Sequence, residues 1–146
     1  MFYSRLFVSL PIKKHIEMKK LTFFALLTTL FLTACQESID EKATREAKVY
    51  TQKNCPAMLA GNTTIDSLAF EPSTRTFHYY YTLSGVADTV IPSMHDSMRE
   101  TLLHALKNTT SMKDYKDEGF NFAYTYRSQK HPETIIFDVT FTKEDY

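Results

Sequence analysis

Tryptophan is absent from the sequence, glycine occurs three times and cysteine twice. Each shortage removes a class of chemistry. Phosphate-cradling loops need several glycines close together, whereas Gly61, Gly85 and Gly119 stand far apart. The same scarcity leaves no G-x-S-x-G nucleophile elbow and no glycine-rich oxyanion loop. Two cysteines cannot build a disulfide framework or a cysteine-rich zinc site, and no H-E-x-x-H pattern replaces them. Charge of one sign is missing too: 17 Lys and Arg balance 17 Asp and Glu, so there is no electrostatic footprint for nucleic acid. The longest apolar stretch, Leu21 to Leu32, has twelve residues. A helix that stays in a bilayer needs roughly 20.

What is present begins with that stretch. Met18-Lys19-Lys20 gives a short positive segment ahead of the apolar run, which is the anatomy of a secretory leader. The run closes with Leu32-Thr33-Ala34-Cys35, followed by polar Gln36-Glu37-Ser38. These residues resemble the lipobox of bacterial lipoproteins, in which small residues precede the cysteine at which the leader is cut. The resemblance implies that residues 1–34 are a signal peptide and that Cys35 carries lipid on its sulfur and nitrogen. It also implies attachment to the membrane through that lipid, because several acyl chains together hold a protein stably where one holds it marginally. The leader is complete from Met18 on, and Met18 is read as the start of translation. Gln36 stands where inner-membrane retention signals of enterobacteria have aspartate, so the expected location is the cell envelope at the outer membrane.

Residues 35–146 carry 12 Lys and Arg against 16 Asp and Glu, a net charge of −4. That length is enough for one domain and a tether. With Cys35 lipidated, Cys55 has no partner for an internal disulfide, so the fold must rest on its core. Ahead of Pro56, Cys55 reads as a small buried hydrophobe rather than a reactive thiol. Tyrosine and phenylalanine are abundant, at 9 and 11, and predict an aromatic core or binding face.

Between Gln36 and Asn54, Ile39, Ala43, Ala47 and Tyr50 form a thin helical stripe that ends before Cys55-Pro56. Residues 35–54 are therefore expected to be an anchored tether and N-terminal helix, and 55–146 a globular domain. Thr64 to Phe70 reads as a strand, Glu71 to Thr74 as a turn, and Arg75 to Leu83 as a second strand. The latter alternates Phe77, Tyr79, Tyr81 and Leu83 with His78, Tyr80 and Thr82. From Pro92 to Thr109 the period becomes helical, with Met94, Met98, Leu102, Ala105, Leu106 and Thr109 on one stripe and Ser93 placed to cap it. Phe120 to Arg127 and Thr134 to Thr142 then alternate again around a polar turn. The order strand-strand-helix-strand-strand predicts an α+β fold. Its expected form is a four-stranded antiparallel sheet with one long amphipathic helix packed on one face, plus the N-terminal helix.

Asn54-Cys55-Pro56, Thr64-Ile65-Asp66-Ser67, Tyr79-Tyr80-Tyr81-Thr82-Leu83 and Phe122-Ala123-Tyr124-Thr125-Tyr126 together resemble a pattern in small exported bacterial proteins of uncharacterised function. That resemblance spans most of the exported chain and implies no particular chemistry.

Candidate catalytic groups do not assemble in the sequence. Glu100 and His104 share a helix face at the spacing of two metal ligands, but no third ligand accompanies them, so no metal or other cofactor is expected. The other half of each alternating strand carries more. His78, Tyr80, Asn121, Thr125, Arg127, Asp138 and Thr140 would share the sheet face turned away from the helix, bringing together aromatic, charged and hydrogen-bonding groups. The expectation is a small binding or accessory module for an envelope protein or glycan, with no nucleic-acid partner. The alternative is a small envelope hydrolase using His78 or His95 with a nearby carboxylate.

Overall fold

The structure is a computed structural model that describes residues 37–146. Residues 1–36, which include the expected leader, Cys35 and Gln36, lie outside the described residues. Among the described residues no helix is long and apolar enough to cross a membrane.

Helix α1 spans Ile39–Asn54. It starts at a capping box: the Ser38 side chain accepts the Glu41 N–H, and the Glu41 carboxylate accepts the Ser38 N–H at 2.9 Å. Ala43 and Ala47 are buried to 0% and 1% exposure, and methyl-sized side chains at i and i+4 let the helix axis approach the sheet closely. The helix thus belongs to the same core as the strands. It ends at Asn54, the residue before Cys55-Pro56, as the backbone preference ahead of a proline requires.

Five strands follow: β1 (Ala57–Met58), β2 (Thr63–Glu71), β3 (Thr76–Leu83), β4 (Asn121–Ser128) and β5 (Ile135–Phe141). They form one sheet in the order β1-β2-β3-β4-β5. The expected hairpins are present as the antiparallel pairs β2-β3 and β4-β5. Two features correct the expectation of a four-stranded antiparallel sheet. A two-residue strand, β1, pairs Ala57 with Ile65 and Met58 with Thr64. The central pair β3-β4 is parallel, with Phe77 opposite Phe122 and Tyr81 opposite Tyr126. The chain between them is long enough to return to the starting end of β3, as a parallel crossover demands.

That crossover contains α2 (Ala87–Val90), a 3₁₀ turn at Ile91–Met94, α3 (His95–Asn108), a second 3₁₀ turn at Thr110–Met112 and α4 (Lys113–Asp117). The structure therefore adds two short helices to the two expected. Helix α3 begins after Met94, not at a Ser93 cap, because the 3₁₀ turn takes up Ser93. Its inward stripe is Met98, Leu102, Leu103 and Leu106, while Met94 is 46% exposed and Ala105 faces solvent. The chain leaves α4 through Gly119 at φ +73°, a left-handed conformation that costs glycine little.

The core is a set of rings. Phe77, Phe120, Phe122, Phe137, Phe141 and Tyr115 are almost wholly buried. Phe77 lies 5.9 Å from Phe122 and edge-on to Tyr115 at 4.9 Å, spacings at which aromatic pairs attract. The residues of α1 and α3 that face inward join this one cluster. Both long helices accordingly pack on the same side of the sheet.

Candidate functional site: the open face of the sheet

Strand alternation places His78, Tyr80 and Thr82 of β3 opposite to the core side, and the register carries that face across the sheet. Ala69, His78, Ala123 and Thr140 form one cross-strand row; Ser67, Tyr80, Thr125 and Asp138 form the next. Asn121 and Arg127 lie at the two ends of the same face of β4. The seven residues singled out from the sequence thus share one face.

Their contacts stay within strands and turns. The rings of His78 and Tyr80 lie 6.1 Å apart and nearly parallel, at 11°. Thr125, 9% exposed, donates its hydroxyl to Asp138 Oδ1 at 2.6 Å. Asn121 donates to the Thr74 carbonyl at 3.0 Å, and Arg127 reaches the Pro132 carbonyl at 3.4 Å. No hydrogen bond or ring contact of these side chains goes to α1 or α3. Thr140 and Asp138 are exposed, and Ala123 forms a low floor between His78 and Thr140. The face offers a flat aromatic step beside hydrogen-bonding groups of both kinds, which suits recognition rather than bond-breaking.

Asp66 is not among the seven residues expected on this face, and its carboxylate accepts the Thr82 hydroxyl at 2.8 Å. An irregularity between Ile65 and Ser67 shifts the register of β2 there, so simple alternation assigns Asp66 no definite face. The signal available was Thr82, a hydroxyl on the polar half of β3.

The catalytic alternative is not assembled among the described residues. His78 stacks on Tyr80; His95 packs against Phe137 at 4.7 Å and lies 3.6 Å from the exposed Asp96 carboxylate. Glu100 and His104 are exposed on α3, and the His104 imidazole contacts Asn108. Among the described residues no group of three His, Cys, Asp or Glu converges as a metal site would require. Cys55 is a half-buried free thiol, and burial, with Asp66 nearby, pushes its pKa up, away from the reactive thiolate. Two clefts lie elsewhere: about 430 Å³ between α1 and β2 beside Thr51, Leu68 and Phe70, and about 300 Å³ beside α3 lined by Met94, Met98 and Tyr126. Neither is lined by a histidine, cysteine or carboxylate.

A family profile described as "Domain of unknown function (DUF8479)" matches residues 38–137. The chain belongs to that family. The DUF8479 match begins at the Ser38 cap and ends in β5, so it takes in both long helices, the crossover and five of the seven face residues. Asp138 and Thr140 follow directly after it. No curated protein matches the chain.

Solved structures share the DUF8479 chain's fold. A protein of Pseudomonas aeruginosa described as secreted superposes with a TM-score of 0.62 at 15% identity, covering 75% of this chain and 90% of its own. The type II secretion system pilotin AspS of Vibrio cholerae gives 0.56 at 15% identity, covering 73% and 91%. The pilotin EpsS of the Vibrio vulnificus type 2 secretion system gives 0.59 at 13% identity, covering 73% and 89%. At these identities the likeness is one of fold.

Proposed function

We propose that this protein is an envelope lipoprotein, anchored through Cys35, that serves as a small accessory module and engages an envelope protein through the open face of its sheet. One observation carries the reading: both long helices pack on the same side, leaving His78, Tyr80, Thr125, Arg127 and Asp138 grouped on a face to which neither helix contributes a contact. Tyrosine and arginine are residue types enriched at interface centres, and Asp138 adds an acceptor at the margin of the group.

The fold supports the accessory role, since two Vibrio pilotins of type II secretion systems and a secreted Pseudomonas protein are built the same way. The leader supports export, and its close at Leu32-Thr33-Ala34-Cys35 supports lipidation. Only Gln36, Glu37 and Ser38 separate Cys35 from α1. Even fully extended, three residues span no more than about 11 Å, so an anchored domain works next to the bilayer and cannot reach far from it. Gln36 in place of aspartate supports the outer membrane.

Two measurements on cells test the reading together. Radiolabelled palmitate should enter the wild type and not Cys35→Ser, and equal labelling of the two would reject the anchor. Affinity purification from detergent-solubilised envelopes should recover a discrete protein with the wild type and with Lys107→Glu on exposed α3, and lose it with Arg127→Glu. The same set of proteins with all three would reject the face.

A further inference from the structure

The two edges of the sheet are finished differently. At β2, the short strand β1 covers Thr64 and Ile65, and farther along the Thr51 hydroxyl accepts the Leu68 N–H at 2.8 Å and donates to the Leu68 carbonyl at 2.7 Å. A helix side chain thus takes the place of a neighbouring strand. At β5, pairing with β4 occupies one side only, and among the described residues no backbone hydrogen bond leaves Ile135–Phe141 on the other. Helix α3 meets the core side of β5, His95 over Phe137 and Arg99 over Phe141 at 5.3 Å, and the 3₁₀ turn at Ile91–Met94 also packs against β5.

Edge strands are normally blunted by lysine, proline or shortness, because a row of outward N–H and C=O groups templates another strand. The β5 sequence Ile-Ile-Phe-Asp-Val-Thr-Phe has seven residues, no lysine and no proline, and Ile135 is 51% exposed. Its single charge, Asp138, stands at the centre with three residues on either side. Thr125 occupies Oδ1, and among the described residues Oδ2 has no partner. A second copy of this chain, added antiparallel in the centred register, would set Asp138 against Asp138, and like charges directly opposite destabilise a pair. A basic residue in that position reverses the sign. The same carboxylate therefore disfavours self-pairing and selects a foreign strand.

We propose that the outer edge of β5 accepts an extended segment of an envelope protein as a sixth strand, with lysine or arginine opposite Asp138 and β-branched residues on either side. Main-chain bonds would supply affinity and Asp138 the selectivity, the division of labour typical of strand addition. The inference rests on the open face as partner surface, because Asp138 and Thr140 belong to both and an added strand would widen that face.

The test uses the full chain purified in detergent and two capped nine-residue peptides of alternating valine and threonine, one with lysine and one with glutamate at the centre. Hydrogen exchange read by mass spectrometry should slow in residues 135–141 with the lysine peptide, by about tenfold or more over the glutamate peptide, a difference of about 1.4 kcal/mol. Asp138→Lys should invert the preference, and Asp138→Asn should abolish it without the risk of a new buried clash. Slowing confined to β2, equal slowing by both peptides, or none in β5 would each overturn the proposal. Lys107→Glu, on exposed α3 and away from the sheet edge, should leave peptide protection unchanged. Protection at β5 with no partner captured by the face would reject the face reading alone, and the converse would reject the edge alone.

Discussion

At the scale of single residues, the two halves of each strand carry different energetic weight. Phe122 and Phe137 are buried to 0% and 2% exposure, and removing such rings typically costs about 3–5 kcal/mol of the ~5–15 kcal/mol that holds a domain folded. Phe122→Ala and Phe137→Ala should therefore lower the thermal midpoint sharply, whereas Thr140→Ala, at an exposed site, should stay within about 0.5 kcal/mol. Thr125→Ala should fall between them at about 1 kcal/mol, because it strips the hydrogen bond from Asp138. Melts of the four variants check that order, and equal losses at Phe122 and Thr140 would mean that both sheet faces are buried. A second prediction concerns four tyrosines. Tyr79 stacks on Tyr124 at 5.0 Å and Tyr81 on Tyr126 at 4.5 Å. Burial pushes all four hydroxyls up, Tyr124 to about 12 and the others further. Their folded pKa values exceed the unfolded value of about 10, so their contribution is fully present below pH ~10 and is lost as pH rises through the folded values. Stability should decline above pH ~10 as the phenolate absorbance rises, and Tyr124→Phe with Tyr126→Phe should flatten that decline. Alternation alone revealed which residues face inward. It did not reveal that the four tyrosines of that set need an un-ionised environment, since that follows from depth of burial.

At the scale of elements, the strand faces and the turn at Glu71 to Thr74 were legible because each has a local cause. Ser38 with Glu41 is a cap readable from spacing, and its side chain accepts the Glu41 N–H at 3.2 Å. Ser38→Ala should cost about 1 kcal/mol, seen as fraying of the first turn of α1 in amide exchange, with the remainder of the sheet unaffected. What the sequence could not supply was direction. Phe77 and Phe122 have the same alternation whether β3 and β4 run parallel or antiparallel, and the intervening segment accommodates either return path. β1 was missed for a related reason: two residues, Ala57 and Met58, are too few to show any period. The start of α3 was misplaced because proline and serine also fit the 3₁₀ turn that occupies Ile91–Met94. Pairing at β3-β4 puts Tyr80 directly beside Thr125 and, through β4, Asp138 in the same row, so the topology that periodicity could not give is what assembles the candidate face.

At the scale of the whole molecule, the proposed export rests on the most local signal, since a leader is a composition pattern and needs no tertiary structure. Partner identity was the least legible, because recognition depends on which groups stay uncovered after every element has packed. The arrangement that results is one-sided: α1 and α3 share a single core side, α1 starts four residues after Cys35, and the polar face is left free. The account's central claim is that this face meets an envelope protein while Cys35 holds the domain at the membrane. A photoactivatable amino acid placed at Tyr80 and, separately, at Glu100 on exposed α3 measures this in intact cells. The account predicts a discrete cross-linked species from position 80 that disappears when Arg127→Glu or Cys35→Ser is added, and none from position 100. Identical cross-linking at both positions, or none at position 80 in a normally exported protein, would contradict it.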